Sequence, residues 1–189
     1  TTFENKTIAL VGRYPFWTAF RKFLFHLHIL SGSVSDLPLE RYISHLLLSV
    51  PLPRPGGPTV LIPLPAVSDP MVICMPPEKD FPVLDLTYKP LFACLEIRTV
   101  VMIVLGMLSL KKKVIVMSTR PSLVIDVCEL LRSLLFPFSL CAPYVPRLTE
   151  PFKTSLDFPG AIFVGIHDDG SQNGLAATVR KELPEDSIV

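Results

Sequence analysis

The chain has 189 residues, of which 49% are apolar and 19% are charged, so it can bury a hydrophobic core and is not a disordered tail. Its 18 lysines and arginines nearly balance its 17 aspartates and glutamates, and a formal net charge of +1 argues against a nucleic-acid-binding protein. The 20 prolines, roughly twice the ordinary share, come without a glycine period, which excludes a collagen-like chain.

The N-terminal part of the sequence predicts a strand followed by a helix. Residues 7–11 form a short apolar run, closed by Gly12, that predicts a buried strand. Residues 16–30 predict an amphipathic helix, and the same spacing places His26 away from its apolar face. The residues of that apolar face are Phe16, Phe20, Phe23, Leu27 and Leu30.

A second helix and a proline-rich stretch follow. Asp36 as an N-cap and Pro38 in the first turn predict an amphipathic helix over residues 37–50. Between residues 51 and 90, 11 of 40 residues are proline, which excludes helix and permits only short or edge strands such as 59–62. Three interpretations of this stretch are open: a disordered ligand for proline-binding domains, a linker between domains, or a rigid connection inside one fold.

The rest of the chain alternates predicted helices with predicted strands, a pattern typical of an α/β sheet covered by helices. Asp126, Glu129 and Ser133 are expected on the polar side of one of these helices. The predicted helices are 88–97, 98–110, 122–135 and a short one at 149–158. The predicted strands are 113–117, 141–146 and 161–167, followed by a surface loop at 168–174 and by the first residues of a further strand at 187–189.

Motifs for covalent chemistry, for phosphate binding and for metal binding are absent from the sequence. It contains no P-loop, GxGxxG, GxSxG, HExxH or kinase signature. His26 and His28 are two positions apart on a helix and point in nearly opposite directions, so they cannot share a metal ion. The acids of 168–174 lack the calcium-loop spacing. We therefore predict no catalytic residue, no metal and no cofactor.

Membrane and compartment signals are also weak. The uncharged run from Thr99 to Leu110 is shorter than the ~20 residues that a spanning helix requires, so it predicts a buried helix. Lys111–Lys113 could touch acidic lipid, but three lysines after a helix are typical of a solvated helix end. The 4 cysteines lack CxxC spacing and predict reduced thiols in the cytosol. The abrupt ends of the sequence are expected of a piece of a longer protein.

Six stretches of the sequence follow one another in the order known from one family. They are GRYPFWTAFRKFL, PLERYISHLLLSVPLPRPGGPTVLI, DLTYKPLFACLEIRTVV, KKKVIVMSTRPSLVIDVCELLRSLLFPF, YVPRL and FVGIH. Together they resemble a DENN domain, the module found in exchange factors for Rab GTPases.

The resemblance implies a particular α/β architecture. Residues 1–50 are expected to form the C-terminal part of a longin-like (u-DENN) lobe, and residues 51–189 an α/β (c-DENN) lobe with a helix-covered sheet, truncated at its C-terminal end. The downstream (d-DENN) part is expected to be absent. The proline-rich stretch then becomes a semi-rigid strut that holds two lobes at a set angle, in preference to a polyproline ligand built on Pro55 and Pro58.

The resemblance also implies a function. A DENN-type exchange factor, or a fragment of one, binds the switch regions of a GDP-bound Rab GTPase and promotes GDP release in vesicle trafficking, without covalent chemistry. Such a protein is expected in the cytoplasm, recruited peripherally to vesicle or endosomal membranes through the longer protein. Two alternatives stay open: a non-catalytic DENN scaffold or adaptor subunit, and a GTPase-activating relative that acts in a heteromeric complex.

Candidate residues for binding the GTPase lie where predicted strands end, because partners of α/β sheets tend to bind beyond the carboxyl ends of strands. Ser118, Thr119 and Arg120 follow the strand 113–117, and Ser122 begins the next helix. The structural alternative is that Ser122 caps that helix and Arg120 pairs with an acid. The corresponding candidates on the longin-like side are Arg13, Tyr14 and Pro15.

Overall fold

The fold is taken from a computed structural model, which describes residues 7–33, 37–80, 82–172, 174–182 and 187–188. The chain divides into two compact units, Thr1–Leu86 and Thr87–Val189. The proline-rich stretch therefore lies almost wholly in the first unit, and the units do not separate at residue 50. The boundary between the u-DENN and c-DENN parts, expected between residues 50 and 51, stays a prediction. The role of the proline-rich stretch as a strut between lobes also stays a prediction.

The first unit contains the two predicted helices. Helix α1 spans Trp17–Gly32. Helix α2 spans Leu39–Ser44 and continues as one π-helical stretch, His45–Ser49. Pro38 immediately precedes α2, where its fixed φ suits a helix start. The predicted cap Asp36 lies outside the described residues.

The proline-rich stretch forms a small sheet that packs on α1. Strands β1 (Val60–Ile62) and β2 (Met71–Ile73) pair antiparallel, with Leu61 opposite Val72. Both strands alternate inward and outward side chains, as strands with one buried face do. The strand predicted at 59–62 is thus confirmed. The buried cluster consists of Phe16, Ala19, Phe23, Leu27, Ile62, Leu64, Met71, Ile73 and Met75.

A tight turn interrupts the prolines that would form a polyproline ligand. The amide of Gly57 donates to the carbonyl of Arg54 at 2.8 Å, and Gly56 between them has φ +67°. Pro55 and a positive-φ glycine are the residues that such a turn favours at its centre. The amide of Gly56 also donates to the carbonyl of Met75 at 3.0 Å. This segment is therefore an ordered part of the first unit rather than a free ligand.

The strand predicted at residues 7–11 is wrong. These residues form no strand, and Ile8 and Val11 are 55% and 94% exposed. Among the described residues no strand pairs with them. Since a strand exists only through its ladder partners, a short apolar run alone could not form it.

Helix α1 is capped by a residue far away in sequence. Phe16 occupies the N-cap position, and its side chain cannot accept a hydrogen bond. No neighbouring side chain among the described residues caps the helix. Instead Asp85 Oδ2 accepts the amides of Thr18 at 2.7 Å and Ala19 at 3.1 Å. The Thr18 hydroxyl donates to the Asp85 carbonyl at 3.0 Å. Burial raises the pKa of Asp85, although these amides act in the opposite direction. The end of the first unit is thereby fixed to the start of α1.

We expect Asp85→Ala to lower the free energy of unfolding by about 1 kcal/mol, because two amides at the start of α1 lose their acceptor. Asp85→Asn keeps an acceptor oxygen and removes a charge that burial disfavours, so it should remain within about 0.5 kcal/mol of the original chain. Chemical denaturation at pH 7 measures both. Equal losses for the two variants would mean that the charge, not the cap, is what matters.

His26 lies in the core rather than on a polar face. Its side chain is fully buried, and its ring meets Tyr42 edge-on at 5.4 Å and lies 6.4 Å from Phe23. Neither ring nitrogen has a hydrogen-bond partner among the described residues. Burial lowers the pKa of His26. The expectation that it points away from the apolar face is wrong, whereas His28 is exposed.

Buried, neutral His26 makes the first unit sensitive to acid. Below about pH 6.5 the unfolded chain binds a proton at this residue while the folded chain does not, so stability falls as the pH falls. His26→Phe keeps the aromatic packing and should flatten this dependence between pH 7.5 and roughly 5.5, as followed by denaturation. His28→Gln on the same helix is the matched control. An unchanged slope in His26→Phe would show that another group titrates.

The second unit holds the predicted alternation of helices and strands. Helix α6 was not predicted; the other elements were, within a few residues. The helices are α3 (Lys89–Cys94), α4 (Ile97–Ser109), α5 (Pro121–Ser133), a 3₁₀ helix (Glu150–Asp157) and α6 (Leu175–Glu182). The strands are β3 (Lys113–Ser118), β4 (Tyr144–Leu148), β5 (Phe163–His167) and β6 (Ser187–Ile188).

These four strands form one parallel sheet in the order β4-β5-β3-β6. The predicted α/β class is confirmed, since helices connect the parallel strands. Pro146 lies in the edge strand β4, where the register to β5 shifts between Val145 and Leu148. Proline lacks an amide donor and is tolerated there because an irregular edge strand does not need that donor for the ladder. One core cluster consists of Ile115, Leu148, Ile162, Val164, Ile166, Leu175, Ala176 and Val179.

A partly buried charged network joins helix α5 to the edge strand β4. Glu129 on α5, predicted on the polar side of its helix, is only 3% exposed. The Tyr144 hydroxyl donates to Glu129 Oε1 at 2.9 Å, and Arg132 lies 3.0 Å from Oε2. The Arg132 guanidinium also lies 5.3 Å from the centre of the Tyr144 ring. Burial, and then the carboxylate of Glu129, raise the pKa of Tyr144, which keeps it a donor.

Candidate functional site

The carboxyl ends of β3 and β5 bring together the first group of candidate residues. The two strands pair in parallel, and their last residues, Ser118 and His167, lie opposite each other. Ser118 and Thr119 thus stand at the edge where partners of α/β sheets bind. We define the edge loop as Ser118–Pro121, which leads from β3 into α5. Ser118 is half-buried, while Thr119 and Arg120 are exposed.

Three hydrogen bonds hold the edge loop. The Asp168 amide donates to the Ser118 carbonyl at 2.9 Å. The Arg120 amide donates to Ser118 Oγ at 3.3 Å. His167 Nε2 lies 3.1 Å from the Thr119 carbonyl oxygen. A carbonyl can only accept, so this contact requires a hydrogen on Nε2.

Arg120 and Ser122 do not take the structural roles considered above. Arg120 occupies the N-cap position of α5, and no side chain caps that helix. Among the described residues no carboxylate forms an ion pair with the Arg120 guanidinium. Ser122 is exposed one residue into the helix after Pro121. Both side chains are therefore available to a partner.

Sequence reasoning missed the other half of this edge. His167 and Asp168 end β5 beside the edge loop, and Asp168 pairs with Arg180 of α6 at 2.9 Å. Only 14% of the Asp168 side chain is exposed, against 56% for Arg180. The rule that selected Ser118 could have selected His167 as well, because both end predicted parallel strands.

Among the described residues a metal-binding cluster is absent, and the one buried cysteine is inert. No three histidine, cysteine, aspartate or glutamate side chains among them could hold a metal ion. The pKa of the buried Cys128 thiol is raised to about 12 by burial and by Glu129, so it is neutral and unreactive. Hydrogen bonds from Ser171 to its carboxylate lower the pKa of Asp169, whose oxygen is used within its own loop.

The first unit places Arg13 and Tyr14 at an apolar groove of about 350 Å³. The Arg13 guanidinium lies 5.8 Å from the centre of the Tyr14 ring, which in turn lies 6.0 Å from Phe16. Pro15 follows directly and is partly buried. The groove is otherwise lined by Leu10, Val11, Gly12, Phe20, Leu46, Leu47, Val50, Pro51, Leu52 and Ile73. Protein–protein interfaces commonly combine arginine with apolar and aromatic side chains.

Comparison with known proteins identifies the family. The family model described as DENN (AEX-3) domain matches residues 3–188. The chain belongs to the DENN family. It is also similar to the DENN domain and WD repeat-containing protein SCD1 of Arabidopsis thaliana, with 29% identity over 178 residues. The match covers 93% of this chain and 15% of that relative, so the DENN chain spans only a small part of the relative's length.

Family membership confirms the resemblance seen in the motifs. An activity on Rab GTPases goes beyond what membership shows. In the described part of this DENN chain, none of the helices has the length and apolarity needed to cross a membrane.

If Arg120 is free for a partner, removing it should leave the DENN chain as stable as before. We expect Arg120→Ala to change the free energy of unfolding by less than about 0.5 kcal/mol. Arg180→Ala should cost more, about 0.5–1 kcal/mol, because it leaves Asp168 without its ion pair, although water screens the exposed arginine. Thermal and urea unfolding compare them directly. A larger loss for Arg120→Ala would mean that this arginine has a structural role.

Proposed function

We propose that this DENN chain is the Rab-binding part of a guanine-nucleotide exchange factor. It binds the switch regions of a GDP-bound Rab GTPase and promotes GDP release. The setting is vesicle trafficking, in the cytoplasm at the surface of vesicle or endosomal membranes. The proposal adds an activity to the family membership and to the geometry of the edge loop.

One observation carries the proposal: at the carboxyl edge of the sheet in a DENN chain, a fixed loop presents an arginine that has no ion-pair partner among the described residues. Three hydrogen bonds order the loop, so a partner does not have to order it on binding. Exposed Thr119, Arg120 and Ser122 offer one cation and two hydroxyls to the partner. Arginines in such positions often contribute most to interface affinity.

The mechanism requires no covalent step by the exchange factor. It must bind the nucleotide-free conformation of the GTPase more tightly than the GDP-bound one, which shifts the population towards the empty form. Each ~1.4 kcal/mol of that preference weakens nucleotide binding about tenfold.

The test is release of fluorescent GDP from a panel of Rab GTPases, measured with and without this chain. We expect at least one Rab to release GDP faster, and Arg120→Ala to slow that release about tenfold, as expected for an arginine at the centre of an interface. Arg98→Ala, which removes an exposed arginine on α4, is the matched control and should leave the rate unchanged.

Flat release curves across the panel, obtained with folded protein, would refute the exchange activity. A loss in Arg98→Ala as large as in Arg120→Ala would point to general charge attraction rather than to the edge loop. Arg13→Ala tests the groove of the first unit separately. If the same variant instead slows hydrolysis in GTP-loaded Rabs, the GTPase-activating alternative is favoured.

A second candidate function is that of a non-catalytic scaffold or adaptor subunit. Helix α4 is largely apolar, and one apolar side of it is exposed: Ile97, Val101, Leu105 and Leu108, the first of them 71% exposed. Contiguous exposed apolar surface often marks a site of protein association, so this face supports stable association with another polypeptide. Rab binding without faster GDP release would favour this function.

A further inference from the structure

His167 lies where it controls the direction of the peptide group that precedes Arg120. The Thr119 carbonyl and the Arg120 amide belong to one planar peptide unit. His167 Nε2 holds the oxygen of this unit at 3.1 Å, and Ser118 Oγ holds its amide at 3.3 Å. Fixing both ends of a planar group fixes its orientation, and with it the first bond of the arginine backbone.

The other side of Arg120 is restricted as well. Pro121 follows it and disfavours helical dihedral angles in the residue before a proline. Arg120 accordingly has φ −107° and ψ 106°, while helix α5 begins at the proline. With the peptide held before it and the proline after it, the backbone of Arg120 is restrained on both sides, and the contact from His167 is one of these restraints.

His167 is itself held in place by two strands. It is the last residue of β5, paired with Ser118 of β3, and the next amide, that of Asp168, donates to the Ser118 carbonyl. Asp168 in turn pairs with Arg180 on α6. The histidine therefore links the edge loop to a rigid part of the sheet.

We propose that His167 is a positioning residue that sets the orientation in which Arg120 meets the GTPase. This inference rests on the proposed exchange function, which it deepens by assigning one side chain to the geometry of the binding loop. His167 does not itself contact the partner and acts only through Arg120. The contact needs a hydrogen on Nε2, which both the neutral tautomer and the protonated ring can supply.

The exchange assay separates this role from a purely structural one. We expect His167→Ala to slow GDP release by roughly threefold to tenfold, the range of a single hydrogen bond. His167→Gln, whose amide is also a donor, should recover most of the rate. In an Arg120→Ala background His167→Ala should cause no further loss, because its effect requires the arginine. His28→Ala, at an exposed histidine of α1, is the control for loss of a histidine elsewhere.

The inference would be overturned if the double variant Arg120→Ala, His167→Ala lost GDP-release rate by the product of the two single losses. It would also be overturned if the rate loss in His167→Ala simply followed a lower melting temperature. A second measurement needs no GTPase: NMR-resolved hydrogen exchange of the Arg120 amide. It should become about tenfold faster in His167→Ala and return to normal in His167→Gln. If no Rab responds to the chain, the proposed function fails. Hydrogen exchange of the Arg120 amide then decides the positioning role. Faster hydrogen exchange in His167→Ala supports this role, and unchanged hydrogen exchange overturns it.

Discussion

The parallel pairing of β3 with β5 is the constraint on which the second unit depends. It runs in one register from Val114 opposite Phe163 to Ser118 opposite His167. On the other side of β5, Gly165 lets the edge strand β4 approach closely, because any Cβ there would overlap the Pro146 carbonyl oxygen. Only glycine, which has no side chain, fits where a neighbouring backbone approaches this closely. A slip of one residue would exchange the faces of the strand and separate the two ends that form the site.

The first unit depends on contacts between distant parts of the sequence in a different way. Its proline-rich stretch cannot form helix or a broad sheet, yet it contributes a two-stranded sheet whose inner face covers α1. Asp85, at the far end of that stretch, then satisfies the amides at the start of the same helix. Prolines lower the entropy of the unfolded chain, which makes such a segment less costly to fold. The apolar residues between the prolines, rather than the prolines themselves, form the core of the first unit.

Much of the second unit could be predicted from sequence, because its elements carry a strong apolar period and its strands are rich in β-branched residues. Two wrong predictions have the same cause, since each concerned a residue or segment whose structure depends on another part of the chain. Among the described residues no strand pairs with the run 7–11. Glu129 is buried because the Tyr144 hydroxyl donates a hydrogen bond to it. The site shows the same division. The end of a strand identified Ser118, but only the order of strands in the sheet shows that His167 lies beside it.

A protein that promotes GDP release by binding has to hold its contacts at fixed angles, because a flexible contact fits both forms of the GTPase equally well and shifts no equilibrium. The restrained edge loop meets this requirement of the proposed exchange function. One exposed cation stands on a backbone that is restrained by a proline on one side and by a doubly hydrogen-bonded peptide on the other. The loop is already ordered in the folded chain, where it continues from the β3–β5 ladder, so binding does not have to offset the conformational entropy of ordering it. Discrimination between two states of the partner then rests on geometry rather than on the number of contacts.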